Sequence, residues 1–275
     1  MTASAFTDPR QVTGHLYADP DRITRRTTAL HTAKIQGSDV ADTITTLVHT
    51  DGAPGTDTTV VDVGCGRGTT TLRLAATLPT ARVIAVDRSA ALLATARHRA
   101  MAAGLHVHPV QADFHALPLP SRSADTVVAA FCLYHSAHPE QVLREIARLL
   151  TPRGQAVLVT KSADSYAELD QLVAATGLDP DAEHRPSLYA TFHTGNAADL
   201  ASSALDVVDV RHELHRFRYT DPGHLAAYLS THPKYQLPDT TAADLPGLTR
   251  RLGAAMEGRP LTTTSTVTFV VARPG

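Results

Sequence analysis

The chain contains no tryptophan and only two cysteines, and its aromatic residues amount to 5%. Lysine stands at positions 34, 161 and 234 alone. Two thiols, Cys65 and Cys132, are too few for the disulfide framework of a small secreted domain and fit a reducing compartment. No apolar run approaches the roughly 20 residues that span a bilayer. The opening segment MTASAFTDPR has neither an apolar core nor a basic leader. A cytoplasmic protein without membrane contact is therefore expected. A net charge of −2 and the lack of a basic stripe leave no footprint for nucleic acid.

Metal chemistry is poorly served as well. There are 15 histidines, yet no Cys–His cluster has zinc spacing. His212-Glu213-Leu214-His215 is not the H-E-x-x-H helix motif. It falls on a predicted strand, where alternation sends His212 and His215 to opposite faces. Neither a G-x-S-x-G nucleophile elbow nor a Walker lysine occurs. No metal is expected.

Against these absences stands one dense stretch, VVDVGCGRGTTT at residues 60–71. Residues 60–63 read as a short buried strand. Gly64, Gly66 and Gly68 then allow a turn that a Cβ would obstruct. A helix follows over 69–78 and stops at Pro79. Strand, glycine turn and helix together set a ligand against backbone N–H groups at a helix N-terminus. The spacing is G-x-G-x-G, not the dinucleotide fingerprint G-x-G-x-x-G.

The surroundings of this turn add weight. A second buried strand, residues 82–87, ends in Asp87, about 20 residues on, where a ribose-binding carboxylate belongs. A third, residues 106–111, leads to Asp113-Phe114. A fourth, residues 125–131, runs into Cys132-Leu133-Tyr134-His135. In open α/β sheets ligands bind outside the carboxyl ends of the strands, and these ends collect polar and aromatic residues.

With 275 residues, 43% hydrophobic and 19% charged, the chain suffices for one α/β domain with a lid. Residues 1–56 read as helical. Asp19-Pro20-Asp21 starts a helix, Gly37 breaks it, and a second runs over 40–49. Residues 51–57 are a turn-rich loop. Pro152-Arg153-Gly154 predicts a tight turn before a strand over 155–160. Further on come helices over 166–176, 197–203, 222–229 and 242–257. Strands are predicted over 207–214, extending towards 219, and over 264–272.

VVDVGCGRGTTT, the acid of VDRS at Asp87, QADFHALPLPSRSADTVVAAFCLYH and VLREIARLLTPRGQAVLVT follow one another between residues 60 and 160. In that order they resemble a class I S-adenosylmethionine-dependent methyltransferase of the small-molecule branch, natural-product and UbiE-like. The resemblance implies a Rossmann-like α/β fold. Its sheet would have seven strands with the last pair antiparallel, helices on both faces and a helical lid. It divides the chain into an N-terminal helical cover (1–56), a cofactor-binding core (57–214), a lid insertion (215–260) and a last core strand (261–275). The implied cofactor is S-adenosylmethionine, with S-adenosylhomocysteine as product, and the partner is a small-molecule substrate.

On this resemblance the cofactor contacts fall on Asp62, Gly64, Cys65, Gly66, Gly68, Asp87, Arg88, Asp113, Phe114 and Phe131. Asp62 fixes the glycine turn or receives the methionine ammonium, because a buried carboxylate needs hydrogen-bond donors. Asp87 takes the ribose hydroxyls; its plainer reading is a helix cap. Asp113 accepts from the adenine amino group with Phe114 against the ring; the plainer reading is a loop acid beside a core side chain. Tyr17, Tyr134, His135, Lys161 and Tyr235 are candidate substrate contacts. His135 is also a candidate general base, and Tyr17 a catalytic lid residue. Each has a plainer reading as a pocket wall or a surface side chain.

Methyl transfer to a small metabolite is the leading expectation, in line at the methyl carbon, with proximity and orientation supplying most of the catalysis. An NAD-dependent oxidoreductase on a similar sheet is an alternative, opposed by the glycine spacing. A protein that binds S-adenosylmethionine and catalyses another reaction is a second. Methylation of nucleic acid is disfavoured because FCLYH replaces the N/D-P-P-Y/F signature.

Overall fold

Buried runs of β-branched and small apolar residues build the centre of the molecule. TVVDV, RVIAVD and ADTVVAA are covered on both faces, as parallel strands under helices must be. The computed structural model describes residues 6–8, 20–49 and 58–275. In chain order the elements begin with α1 (Pro20–Ala33), β1 (Lys34–Gln36), α2 (Val40–His49), β2 (Thr59–Val63), α3 (Thr69–Thr77) and β3 (Arg82–Asp87). They continue with α4 (Ala90–Ala102), β4 (His108–Gln111), β5 (Ala124–Ala130), a 3₁₀ turn (Leu133–His135), α5 (Pro139–Leu149) and β6 (Leu150–Lys161). Last come α6 (Ala167–Ala175), α7 (Ala197–Ser202), β7 (Leu205–Tyr219), α8 (Pro222–Leu229), α9 (Asp239–Ala243), α10 (Leu245–Met256) and β8 (Leu261–Pro274).

The sheet order is β1-β7-β8-β6-β5-β2-β3-β4. β2 runs parallel to both β3 and β5, with Asp62 opposite Ala85 and Val128. The strand order reverses beside β2, which makes the carboxyl end of this strand the topological switch point. β8 lies antiparallel between β6 and β7. The α/β reading and its antiparallel last pair therefore hold.

Several local expectations need correction. The sheet has eight strands instead of seven. The extra one, β1, joins the edge of β7 through Lys34↔Phe217 and Gln36↔Arg216. At three residues it is too short to show alternation. Pro152-Arg153-Gly154 does not form a separate turn. It lies within β6, where the pairing with β5 jumps from Ala124↔Leu150 to Thr126↔Gln155. The expected helix over 242–257 is two helices. Asp244 turns its carboxylate onto the Gly247 N–H and starts α10 with a proline in its first turn.

β7 keeps its pairing with β8 through Tyr219↔Leu261, so residues 215–219 belong to the sheet. The N-terminal stretch divides too. α2 packs Ile44, Leu47 and Val48 on one face of the sheet with α3. α1 instead gives Ala29 and Ala33 to a separate cluster with α6, α8 and α10, centred on Tyr219, Leu225, Tyr228 and Leu252. The opposite sheet face is covered by α5 and α7 through Val142, Leu143, Ile146, Ala197 and Ala201.

Candidate functional site

The glycine turn sets the floor of the site. Gly64, Gly66 and Gly68 all have positive φ, at 66°, 55° and 77°. A Cβ on Gly64 would stand 2.5 Å from the Cβ of Cys132 at the end of β5, so the close approach of β2 and β5 there requires glycine. Behind the turn, the Thr71 hydroxyl donates to Asp62 at 2.5 Å. This ties the end of β2 to the first turn of α3. Burial pushes the Asp62 carboxyl up to about 7, with the Thr71 hydrogen bond opposing.

Asp87 completes the floor. One carboxylate oxygen accepts from the Gly66 N–H at 2.8 Å, and the other from the Ser89 N–H at 2.8 Å. Burial raises its carboxyl above the ordinary range, and these backbone donors partly offset the rise. Its helix-cap neighbour is Ser89, whose hydroxyl accepts from the Leu92 N–H. Asp87 thus both braces the turn and faces the cavity.

A cavity of about 660 Å³ opens over this floor and extends beneath α1 and α8. The strand ends supply Gly64, Cys65, Gly66, Asp87, Arg88, Phe131 and Lys161 to its wall. Phe114 and His115 line it from the loop after β4, with ring centroids 4.6 Å apart. Tyr134 and His135 line it from the 3₁₀ turn. Tyr134 meets Tyr189 edge-on at 4.9 Å. His135 Nδ1 lies 2.9 Å from the Phe6 carbonyl. A carbonyl only accepts, so Nδ1 carries the proton and Nε2 the lone pair. Burial draws the imidazole down to about 4, with the Phe6 carbonyl opposing.

Not all sequence candidates meet here. Asp62 and Gly68 lie behind the wall: Asp62 is held by Thr71, and Gly68 packs against Ala96. The Asp113 carboxylate is also off the wall, because His115 and Arg88 hold both of its oxygens. Burial would raise this carboxyl, but those partners bring it below the ordinary range. Tyr235 sits outside the cavity; its hydroxyl donates to Asp170 at 2.8 Å and anchors its loop to α6. Tyr17 lies outside the described residues.

Sequence reasoning missed residues that the fold brings in from a distance. Arg67 leaves the glycine turn and donates to Thr24 and Thr27 of α1 at 2.5 and 2.6 Å. Arg26 of α1 donates to the Thr231 carbonyl beyond α8. His31 reaches the wall from the end of α1, Lys34 from the start of β1, and His215 and Phe217 from β7. Only the helix predicted to start at Asp19-Pro20-Asp21 hinted at this set, and its pattern does not say which face turns inward. Among the described residues no group of histidine, cysteine and carboxylate side chains is arranged to hold a metal ion, and no helix is long and apolar enough to cross a membrane.

Comparison with known proteins points the same way. Residues 60–154 match a family model described as a methyltransferase domain. The demethylmenaquinone methyltransferase of Thermus thermophilus is 37% identical over 100 residues, covering 36% of this chain and 46% of that protein. The malonyl-[acyl-carrier protein] O-methyltransferase of a Paenibacillus species is 28% identical over 143 residues, covering 50% and 51%. The chain thus spans about half the length of these curated relatives. Among solved structures, the [4+2]-cyclase SpnF has the same fold, with a TM-score of 0.58 at 18% identity, covering 95% of this chain and 96% of that one.

Proposed function

We propose that this chain, whose residues 60–154 match a methyltransferase domain, is a class I S-adenosylmethionine-dependent methyltransferase and that the whole protein methylates a small molecule in the cytoplasm, in secondary metabolism. The observation that carries this reading is the continuity of one cavity from the glycine turn to an aromatic chamber under α1 and α8. A cofactor and an acceptor fit end to end in such a space, which falls in the roughly 300–1,000 Å³ range of small-molecule sites.

The residues present fit the cofactor. The turn at Gly64 and Gly66 offers backbone without side chains, Asp87 faces the cavity with a braced carboxylate, and Phe114 offers an apolar ring. S-adenosylmethionine, when bound, supplies a methyl group activated by its sulfonium. Asp87 takes the ribose hydroxyls, Phe114 and His115 flank the adenine, and Asp62 acts from behind by ordering the turn through Thr71. Tyr134 and Tyr189 position the acceptor and exclude water, and His135 receives a proton where the acceptor must lose one.

Calorimetry is expected to give micromolar binding of S-adenosylmethionine and S-adenosylhomocysteine and none of NAD. Asp87→Ala should weaken cofactor binding by about 1–3 kcal/mol, because ribose hydroxyls lose their acceptor in a cleft. NAD binding without S-adenosylmethionine binding would sink the reading. Labelled S-adenosylmethionine and a metabolite panel, read by mass spectrometry, then identify the acceptor.

The segments around α1 and α8 to α10 act in this reading as a cover. Their cluster is separate from both sheet cores, and hydrogen bonds such as Arg67 to Thr24 and Arg26 to the Thr231 carbonyl pin it in place. Hydrogen exchange in α1 and α8 is expected to slow on adding S-adenosylhomocysteine. Equal protection with and without it would count against a closing cover.

A further inference from the structure

We propose that the acceptor is a planar, largely apolar molecule carrying an oxyanion, and that Lys161 binds this anion at the end of β6. The inference rests on the methyltransferase reading and adds the class of acceptor to it.

The argument begins with the charges. Of the three lysines in the chain, Lys234 pairs with Asp170 outside the cavity. Lys34 donates to the Ser38 carbonyl with Asp39 and Glu213 nearby. Lys161 is different. Its ammonium donates to the Tyr166 hydroxyl at 2.5 Å, and it lies 5.1, 5.0 and 5.8 Å from the ring centroids of Phe131, Tyr166 and Tyr189. Burial raises the Tyr166 phenol, so that partner is neutral. Among the described residues no carboxylate pairs with Lys161. Ring faces attract an ammonium far less than a full opposite charge does in a closed site.

The neighbours do not supply the missing charge. Two aspartates line the cavity. Asp87 is held at the glycine turn, and Asp39 caps α2 by accepting from the Ala41 N–H. Glu213 is engaged by the backbone and hydroxyl of Ser38. The other groups that feel Lys161 are basic: His31, Lys34, His215 and His232. Burial first holds His31, His215 and His232 below their ordinary pKa; Lys34 and Lys161 add to this at His31 and His215 against Asp39 and Glu213, and Arg26, Lys234 and Lys161 add to it at His232.

A second observation is independent of Lys161. His215 is buried, 3% exposed, and its ring lines the cavity. Its Nε2 has no hydrogen-bond partner, and the Glu213 carboxylate stays 3.6 Å away. A buried polar nitrogen left unpaired beside a cavity marks a place where a ligand atom completes the bonding. An oxyanion between Lys161 and this part of the wall would do so by accepting from the tautomer that carries its proton on Nε2. The remaining walls, Phe131, Tyr134, Tyr189 and Phe217, suit a flat apolar body.

The test uses the full chain loaded with S-adenosylhomocysteine and a matched probe pair, 4-hydroxybenzoate and 4-hydroxybenzamide. Calorimetry at neutral pH should show the carboxylate binding at least about tenfold more tightly than the amide, the order of discrimination one charge-assisted hydrogen bond supplies. Lys161→Met should erase that preference, and Lys161→Arg should retain most of it. Each variant should keep its S-adenosylhomocysteine affinity, which also reports that it is folded. A protein that binds no S-adenosylhomocysteine defeats the cofactor reading. One that binds it but takes carboxylate and amide equally, or takes neither at millimolar concentration, overturns this inference. Unchanged preference in Lys161→Met overturns it as well. The wild-type comparison stands by itself should that variant fail to fold.

Discussion

His135→Ala is expected to lower turnover by about 10²–10⁴-fold with little change in cofactor affinity, where the acceptor must lose a proton. The tautomer fixed by the Phe6 carbonyl leaves Nε2 as the basic nitrogen of a ring that lines the cavity. Burial holds the imidazole near 4, so it stays neutral and able to take a proton throughout the neutral range. It loses that form only as the pH falls through about 4, well below the usual histidine limb near 6.5. Weak basicity also reduces its pull on a proton, which places the loss towards the low end of the range. In steady-state kinetics the acidic limb of kcat/KM should lie near 4 in the wild type and vanish in His135→Asn. Full turnover in His135→Asn would exclude the base role. A raised KM with unchanged kcat would show that the ring only shapes the pocket.

Gly64→Ala is expected to destabilise the fold by about 2–5 kcal/mol, combining left-handed backbone strain with overpacking. The added methyl would meet Cys132 Cβ at 2.5 Å and Sγ at 2.9 Å, and φ is 66°. The neighbour cannot yield easily, since the Cys132 thiol is buried and donates to the Val63 carbonyl. Gly66→Ala supplies the comparison. Its φ is 55°, but nothing lies within 4 Å of the new Cβ. Stability should fall by only about 1–2 kcal/mol, the backbone term alone. Thermal unfolding of the two variants measures the difference. Equal losses would mean that the β2–β5 contact does not limit residue 64.

The readable parts of this chain were those governed by local rules. β2, β3 and β5 are short runs of β-branched and small apolar residues, and α8 covers Pro222–Leu229 as its pattern predicts. The positive φ values of Gly64, Gly66 and Gly68 follow from their spacing after a strand. What stayed hidden depended on partners far away in sequence. β1 exists because Lys34 finds Phe217, some 180 residues later by number. Asp113 stands off the cavity wall with its oxygens on His115 and Arg88, partners that its place after a strand does not reveal. The Tyr235 hydroxyl goes to Asp170 of α6, a partner 65 residues away in sequence. His31, Lys34 and His215 carry no motif. They reach the cavity because α1, β1 and β7 lie along it, and amphipathic pattern alone does not say what a face meets.

Tyr219 and Leu261 sit directly opposite each other at the end of the β7–β8 pair. Everything between them leaves the sheet at one point and returns to the same point. Insertions, deletions and substitutions across residues 220–260 therefore leave the register of the strands untouched. A lineage can refit this part of the wall to a new compound while the floor at Gly64 and Asp87 is inherited without change. The excursion leaves the sheet at one pair of residues, while α8 and α10 still pack on α1 and α6 and Tyr235 holds Asp170. Divergence among descendants of such a chain should concentrate in that excursion.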